Sequence, residues 1–273
     1  MGSGIAEVCA RRGLSVVVVE GDEVASKAGR SRIEASLDQA VRRGKLTEVA
    51  HGEAAARLRY ETDFDALADR QLVVEAVTED EDAKVGIFRR LDEVVLAGDA
   101  ILASNTSSIP IMKLATVTRR PESVIGMHFF NPVPVLPLVE LVSSLMTSEE
   151  TTRRASGVAE GILGKHVIHS QDRAGFIVNA LLIPYILSAV RMLESGFASA
   201  DDIDAGMVHG CAHPMGPLAL ADLIGLDTTK AVAESLYAEF KEPLYAPPPM
   251  LCRMVDAGLL GRKSGRGFHG YEQ

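Results

Sequence analysis

A histidine and a glutamate in two strand-like segments could perform acid–base chemistry. His128 lies in the otherwise apolar run Val124–Phe130, and Glu140 lies in the next such run, Leu138–Val142. A lone histidine in an apolar strand is more often structural, but a second acid in a buried-looking strand favours a functional pair. A carboxylate that binds one ring nitrogen fixes the tautomer, so that the other nitrogen can exchange a proton near neutral pH.

A dense polar turn lies earlier in the chain. Residues 103–111 read ASNTSSIPI, which is a strand end, five polar residues from Ser104 to Ser108, and a helix start. A simple helix cap would need only one of those hydroxyl groups. Since ligands collect at the carboxyl ends of strands in open α/β sheets, the turn predicts part of a site.

The first residues match half of a dinucleotide-binding fingerprint. Gly2 and Gly4 begin a helical pattern that leads to a strand ending at Glu20. The full unit runs strand, G-x-G-x-x-G, helix, strand, and an acid about 20 residues later. Gly2 fits the last glycine and Glu20 fits the acid, so the first strand and two glycines would lie before Met1. The alternative interpretation is a chain end with a flexible MGSG leader.

Loss of that strand predicts a physical cost. The strand would bury about five aliphatic side chains, and their burial would stabilise the fold by roughly 10 kcal/mol. This is comparable to the roughly 5–15 kcal/mol stability of a typical domain. We therefore expect the start codon to lie upstream. A chain that begins at Met1 is expected to fold poorly and to bind little or no NAD.

The elements around these residues alternate. Short apolar runs predict buried strands at Leu14–Glu20, Gln71–Val77 and Ala100–Ser104. Helical patterns lie between them at Asp22–Arg43 and Asp80–Leu96. This alternation predicts an α/β domain with a Rossmann-type, doubly wound sheet whose first strand is missing.

The character of the sequence changes after His166–Ser170, where helical patterns replace strands. We place a boundary near Ser170, with a Rossmann domain over residues 1–170 and an all-helical domain over residues 171–273. The predicted helices are Ala174–Ser195, Ala200–Gly210, Pro217–Phe240 and Pro249–Ala257.

Composition narrows the class of protein. Hydrophobic residues make up 47% of the 273 and charged residues 24%, the profile of a globular protein. A net charge of −9 and the absence of a long basic run argue against nucleic-acid binding. No apolar stretch reaches the roughly 20 residues of a membrane span. Three cysteines far apart in the sequence favour a reduced setting, so we expect a cytoplasmic protein.

A short cluster of possible metal ligands is discounted. His209, Cys211 and His213 stand in HGCAHP with spacing that could suit zinc, but no fourth ligand is evident. We expect no metal.

Four segments together carry a family resemblance: ASNTSSIPI, GMHFFNPVPVLPLVE, DRAGFIVNALLIPY and AGLLGRKSGRGF. In this order they resemble the 3-hydroxyacyl-CoA dehydrogenase family, and most of all its 3-hydroxybutyryl-CoA dehydrogenase branch. The resemblance covers essentially every residue present. It departs from the family at the missing first strand and glycine pair.

The resemblance implies roles at the reacting carbon. His128 matches the catalytic base that removes the proton of the 3-hydroxyl group, and Glu140 matches its carboxylate partner. Ser107 and Asn179 match residues that hydrogen-bond the reacting oxygen. Asn179 lies just past the predicted boundary, so the site is expected to be completed across an interdomain cleft.

The resemblance also implies binding residues. Glu20 matches the adenosine-ribose acid, which repels a 2′-phosphate and favours NAD over NADP. Ser36 and Arg43 match positions that hold the coenzyme A moiety, and Arg42 and Lys45 add positive charge nearby. Further contacts with the cofactor are implied for Gly2, Glu79, Lys84, Ser107, Asn131 and Lys263.

The expected function is therefore NAD-dependent, reversible oxidation of an (S)-3-hydroxyacyl-CoA, in particular 3-hydroxybutyryl-CoA, by a homodimer formed through the helical domain. The pathway stays open between fatty-acid oxidation, butyrate metabolism and storage-polymer metabolism. One alternative is a non-catalytic, crystallin-like member that is inactive because its glycine loop is truncated. Another is a dehydrogenase of free 3-hydroxy acids, but those enzymes typically rely on a catalytic lysine.

Overall fold

The computed structural model describes residues 1–271; the last two residues of the predicted helical domain, Glu272 and Gln273, lie outside the described residues. The chain divides into two compact units, Met1–Asp172 and a second unit that begins at Arg173. The first is an α/β unit and the second is helical. The predicted fold class, a Rossmann-type sheet followed by a helical domain, is confirmed.

Seven strands of the first unit form two sheets. Strands β1 and β2 pair in parallel, and β3, β4 and β5 form a parallel run in a second sheet that continues through β6 and β7. Strand β6 runs antiparallel to β5 because only residues 130–137 connect them, too few for a crossover helix. The strands are β1 (Val16–Val19), β2 (Leu58–Glu61), β3 (Leu72–Glu75), β4 (Ile101–Ser104), β5 (Val124–Phe129), β6 (Leu138–Ser143) and β7 (His166–Gln171).

Six α-helices accompany these strands: the first precedes β1, and the other five lie between strands. An aspartate caps two of them: Asp22 accepts from the Ala25 amide and Asp80 from the Ala83 amide, which satisfies donors that a helix start leaves open. The helices are α1 (Gly2–Arg11), α2 (Glu23–Arg42), α3 (Glu48–Ala56), α4 (Glu81–Val94), α5 (Ile111–Ala115) and α6 (Glu149–Ser156).

Helix α1 packs against both sheets. Its Ile5 and Val8 belong to the core of the five-stranded sheet, whereas its Ala6 and Ala10 belong to the core beneath β1 and β2. Within residues 1–271 no strand lies between β1 and β3. One amphipathic helix therefore ties the two sheets together through two faces.

The second unit contains five helices among the described residues: α7 (Val178–Glu194), α8 (Ala200–Cys211), α9 (Pro217–Ile224), α10 (Leu226–Phe240) and α11 (Pro249–Asp256). The prediction of one helix over Pro217–Phe240 was wrong. Gly225 interrupts it with φ +104°, a conformation that residues with a side chain rarely adopt. Helix α7 starts four residues later than predicted because Gly175 and Phe176 have positive φ.

Several elements of the first unit were not predicted from the sequence. They are β2, α3 and α6, which are short or only weakly periodic. Strand β2 reads LRYE, so its apolar signal is limited to Leu58 and Tyr60, which pack against the core beneath β1. Pairing with β1 supplies the hydrogen bonds that its local sequence does not signal.

None of the described helices is long and apolar enough to cross a membrane.

Candidate active site

The histidine and glutamate singled out in the sequence form a buried pair. The antiparallel register of β5 and β6 places His128 directly opposite Glu140. The Nδ1 atom of His128 lies 2.7 Å from Oε2 of Glu140, whose side chain is fully buried. The ring of Phe130 lies 4.6 Å from the imidazole, measured between centroids. Glu140 thus fixes the orientation of the ring and directs Nε2 away from β6.

The polar turn supplies a hydroxyl group at the other nitrogen. Ser107 follows β4, and its Oγ lies 3.2 Å from Nε2 of His128. Asn105 of the same turn accepts a hydrogen bond from the backbone amide of Phe129 through Oδ1, at 2.9 Å. This contact ties the turn to β5, the strand that carries His128.

A single carboxylate organises that turn. Oε1 of Glu79 accepts from the hydroxyl group of Thr106 at 2.6 Å and from the backbone amides of Ser107 and Ser108 at 2.8 and 2.9 Å. The hydroxyl group of Ser108 also donates to it. Through these hydrogen bonds Glu79 holds the turn that carries Ser107. This is in addition to its predicted role in binding the cofactor.

The environment of Glu79 favours its charged form. Burial by itself would raise the pKa of Glu79, but the hydrogen bonds from the turn and the charge of Lys84 outweigh it and hold that pKa below its usual value. The group is accordingly an anion at neutral pH and a strong acceptor for the amides around it.

Behind Glu79 lies a buried ion pair that sequence reasoning missed. Nζ of Lys84 donates to Oε1 of Glu75 at 2.7 Å, and both side chains are only 1% exposed. Lys84 also lies 3.5 Å from Glu79, while Ser104 donates to the second oxygen of Glu75 at 2.6 Å. The sequence did contain a signal for Glu75, because a charged residue at the end of the apolar run LVVE is as unusual as His128 within its apolar strand.

The residues matched to the dinucleotide fingerprint lie at helix and strand ends. Gly2 is the first residue of α1, where a Cβ would meet Ala76 at 3.6 Å, and a Cβ on Gly4 would lie 3.0 Å from Val133. Glu20 directly follows β1, and its carboxylate reaches over Gly29 of α2, 3.0 Å from the position of a Cβ there. A helix start with glycines at positions 2 and 4 and an acid at the end of β1 fit the pyrophosphate and ribose of a dinucleotide.

A cavity of about 240 Å³ adjoins the first turn of α1. Ser36 of α2 and Asn131, which follows β5, both line it. So do Arg32, one turn before Ser36, and Glu7 of α1, which sequence reasoning did not single out. The predicted substrate residue Ser36 and the predicted cofactor residue Asn131 thus share one cavity.

The other predicted coenzyme A residue lies at the exposed end of the same helix. Arg43 directly follows α2 and is exposed, as are Arg42 and Lys45. Residues seven positions apart face nearly the same side of a helix, about 10 Å apart along its axis. Ser36 and Arg43 therefore lie along one face of α2.

The two predicted residues of the second unit are described within that unit. Asn179 is half-buried in the first turn of α7. Nζ of Lys263 lies 2.6 Å from both carboxylate oxygens of Asp227. Burial acts to raise the pKa of Asp227, but the hydrogen bond from Lys263 and nearby backbone amides outweigh it and lower that pKa.

Among residues 1–271, no group of three His, Cys, Asp or Glu side chains is arranged to hold a metal ion. His213, from the HGCAHP segment, pairs instead with the hydroxyl group of Tyr185 at 3.1 Å.

Fold and site together define a class of protein. A histidine oriented by a buried acid, a hydroxyl group at its second nitrogen, and a helix start with glycines at positions 2 and 4 of a Rossmann-type unit are typical of a nicotinamide-dependent dehydrogenase.

Comparison with known families makes the assignment specific. Residues 1–173 match the model of the 3-hydroxyacyl-CoA dehydrogenase NAD binding domain, and residues 175–271 match the model of the C-terminal domain of the same family. The chain belongs to the 3-hydroxyacyl-CoA dehydrogenase family.

Individual relatives agree. The chain is 58% identical over 271 residues to a 3-hydroxybutyryl-CoA dehydrogenase of Mycobacterium tuberculosis, covering 99% of this chain and 95% of the relative. The crystal structure of M. tuberculosis FadB2 superposes with a TM-score of 0.99 at 58% identity, covering 100% of this chain and 95% of that one. The (S)-3-hydroxybutyryl-CoA dehydrogenase PaaH1 from Ralstonia eutropha superposes with a TM-score of 0.94 at 48% identity, covering 100% and 96%.

These findings confirm the prediction of an NAD-dependent enzyme of this family. They support the catalytic interpretation over the non-catalytic one.

Proposed function

We propose that this chain interconverts (S)-3-hydroxybutyryl-CoA and acetoacetyl-CoA. The observation that carries the proposal is the His128 ring, with Nδ1 held by Glu140 at 2.7 Å and Nε2 3.2 Å from the hydroxyl group of Ser107. Relatives named for 3-hydroxybutyryl-CoA at 58% and 48% identity support the short acyl chain.

The proposed chemistry divides between cofactor and side chains. Bound NAD supplies the acceptor for the hydride that leaves C3 of the substrate. Nε2 of His128 takes the proton of the 3-hydroxyl group, and the carboxylate of Glu140 stabilises the resulting imidazolium. In the reverse direction the protonated ring returns that proton to the ketone oxygen.

Two further donors are proposed for the reacting oxygen. The position of Ser107 beside Nε2 supports this role for its hydroxyl group, and the proposal for Asn179 rests on the family resemblance alone. Donors aimed at an oxygen that gains negative charge stabilise the transition state more than the ground state. Loss of either donor is therefore expected to lower kcat more than it raises KM.

The binding roles follow the same reasoning. Glu20 is proposed to bind the adenosine ribose and to disfavour a 2′-phosphate, and Ser36 and Arg43 are proposed to hold coenzyme A through hydrogen bonding and charge. The remaining proposed cofactor contacts are Gly2, Glu79, Ser107, Asn131 and Lys263. The predicted contact Lys84 is only 1% exposed, so its contribution is proposed to act through Glu79, which lies 3.5 Å away.

A homodimer formed through the second unit is also proposed. Large apolar side chains on its helices and loops are exposed, among them Leu181 at 73%, Phe197 at 78% and Leu223 at 50%. Burial of such side chains against a second copy would remove apolar area from water. A cytoplasmic location is proposed on the basis of the unpaired thiols of Cys9, Cys211 and Cys252, and cell fractionation would check it.

The deciding experiment is the oxidation of NADH by acetoacetyl-CoA, followed at 340 nm. We expect turnover with acetoacetyl-CoA, much weaker turnover with free acetoacetate, and weaker turnover with NADPH. Equal rates with free acetoacetate would refute the role of coenzyme A. No turnover by folded protein would refute the proposed reaction.

A further inference from the structure

A buried acid lies beneath the polar turn and does not face the reacting groups. The side chain of Glu75, at the end of β3, is 1% exposed. Each of its carboxylate oxygens has partners: Oε1 accepts from Nζ of Lys84 at 2.7 Å and from the backbone amide of Val77 at 2.7 Å, while Oε2 accepts from the hydroxyl group of Ser104 at 2.6 Å.

These partners lead to the turn by two routes. The first passes through Ser104, whose Oγ also accepts a hydrogen bond from the Thr106 amide at 3.3 Å. The second passes through Lys84, which lies 3.5 Å from Glu79, the acceptor for the amides of Ser107 and Ser108. Both routes end at the residues that hold Ser107 beside His128.

The ammonium group of Lys84 has three oxygen partners within this network. It lies 2.7 Å from Glu75, 3.5 Å from Glu79 and 3.5 Å from the carbonyl oxygen of Val77, and its side chain is 1% exposed. An ammonium group has three donors and no acceptor. Its position beneath the turn is therefore that of a bridge between two carboxylates.

We propose that Glu75 is a positioning residue for the reaction: through Ser104, Lys84 and Glu79 it fixes the Ser-rich turn so that the hydroxyl group of Ser107 meets Nε2 of His128. Glu75 touches neither reacting group itself. The inference rests on the proposed function for its kinetic consequence, but its structural consequence, the Ser107–His128 contact, can be measured without substrate.

The test is Glu75→Gln, which keeps the shape of the side chain but replaces one acceptor oxygen with a donor and removes the charge opposite Lys84. The matched control is Asp92→Asn. Asp92 is another buried acid of the first unit, but it binds Arg119 and Arg120 and does not contact the turn. Both variants remove one buried charge, so general destabilisation affects both.

The kinetic expectation is specific. In NADH oxidation by acetoacetyl-CoA, Glu75→Gln is expected to lower kcat by about tenfold or more with little change in KM. The upper bound is the roughly 10²–10³-fold effect of losing one oxyanion donor. In a Ser107→Ala background the same substitution is expected to have little further effect, because the hydroxyl group that it positions is already absent.

A readout without substrate separates this inference from the proposed reaction. The ¹⁵N chemical shift of Nε2 in His128 reports its hydrogen bond, and we expect Glu75→Gln to move it and Asp92→Asn to leave it unchanged. If wild-type protein shows no turnover, the proposed function fails while this measurement still decides the role of Glu75. An unchanged shift, or an equal loss of kcat with and without the Ser107 hydroxyl group, would overturn the inference.

If Glu75→Gln does not fold, Ser104→Ala takes its place. That variant removes one route and leaves the Glu75–Lys84 ion pair intact. The same movement of the Nε2 shift is expected, with a smaller amplitude. An unchanged shift in Ser104→Ala would contradict the inference in that case.

Discussion

The two nitrogens of one imidazole ring have different partners, and this asymmetry decides what the side chain can do. A carboxylate at Nδ1 favours the tautomer with the proton on that nitrogen and leaves Nε2 available for the proposed proton exchange with substrate. The hydroxyl group of Ser107 lies 3.2 Å from Nε2, where the proposed mechanism places the reacting oxygen. Neither partner is adjacent to His128 in sequence, so strand pairing and turn geometry create the site.

His128→Gln and Glu140→Gln should both reduce turnover. Loss of the base is expected to lower kcat by about 10²–10⁴-fold, the usual contribution of general acid–base catalysis. Glu140→Gln is expected to lower it by about 10²-fold or more, because an amide can donate to Nδ1 and so favour the wrong tautomer. Steady-state kinetics with circular dichroism would measure both effects. The control is His169→Gln, an exposed histidine on β7; a comparable loss there would contradict the assignment.

Glu79→Gln should change the pH dependence of stability. The pKa of Glu79 is lowered in the folded protein, so the unfolded chain binds the extra proton more readily on acidification. Its stabilising contribution is therefore present above the usual carboxyl pKa of 4.5 and is lost as the pH falls through the lower folded pKa. Because the Glu79 side chain is 37% exposed and solvent screens its charge, we expect a loss of about 0.5–1 kcal/mol at pH 7 and a smaller loss at pH 4.

Denaturant unfolding of the first unit at the two pH values would measure this difference. Glu81→Gln is the matched control, because its exposed carboxylate accepts only a surface contact from Lys113 among the hydrogen bonds described. An equal loss for Glu79→Gln at pH 7 and pH 4 would show that its charge does not contribute.

The proposed binding role of helix α2 depends on the helical spacing of its polar residues. Ser36 and Arg43 stand seven residues apart and share a face, and Arg32 lies on that face one turn earlier. Ser36 and Arg32 also line the cavity beside α1, which supports the proposal that this face binds a ligand. An extended anionic substrate bound along this face would contact Arg32 and Arg43. These two residues provide local positive charge in a chain whose net charge is −9.

Arg43→Ala should raise KM for acetoacetyl-CoA several-fold and leave kcat nearly unchanged, because a phosphate handle is bound equally in ground and transition states. The wild-type KM should rise with ionic strength more steeply than that of the variant, since salt screens an exposed cation. The matched control is Arg30→Ala, which lies on a different face of α2 and pairs with Glu34 at 2.8 Å. An equal rise in KM for the control would contradict the proposed face.

At the level of the complete chain, the described residues form two units with separate cores. Exposed apolar side chains of the second unit are the basis for the proposed homodimer. The first unit has its own exposed apolar side chain in Leu145, at 91%, so exposure alone does not identify an interface. Substitution of one exposed apolar residue in each unit, Phe197 and Leu145, tests which surface forms the interface.

Phe197→Glu should shift the protein from a dimer toward a monomer. Dimer formation would bury the introduced carboxylate in the proposed interface, and removing an unpaired charge from water is unfavourable. Light scattering after size-exclusion chromatography, over a range of protein concentrations, would measure the mass. Leu145→Glu in the first unit is the control and should leave the mass unchanged. A wild-type protein with the mass of one chain at all concentrations would contradict the homodimer.

Much of the first unit could be predicted because its strands are short apolar runs and its helices are periodic. The runs at Leu14–Glu20 and Ala100–Ser104 contain β1 and β4. Strand β2 escaped prediction because its stability comes from pairing with β1. Local patterns report which side chains are buried, but they do not report hydrogen bonds made to a distant strand.

The same distinction applies to the site. His128, Glu140 and Ser107 were found from residue types and family resemblance, and the structure brings these three together. Glu75 was missed, although an acid at the end of an apolar strand is a comparable signal. Asp172 was missed as well, and it accepts from the backbone amides of Ile111 and Met112 at 2.8 and 2.7 Å, across about 60 residues of sequence.

By itself, the sequence determined the fold class, the family and the residue types available for chemistry, because these depend on periodicity and on motifs of adjacent residues. Only the tertiary structure decided which groups meet: the register of β5 against β6 sets the His128–Glu140 pair, and the partners of Glu79 set the turn. Register and side-chain contacts depend on the packing of the entire unit, and a hydrogen bond forms only when that packing brings donor and acceptor to about 3 Å.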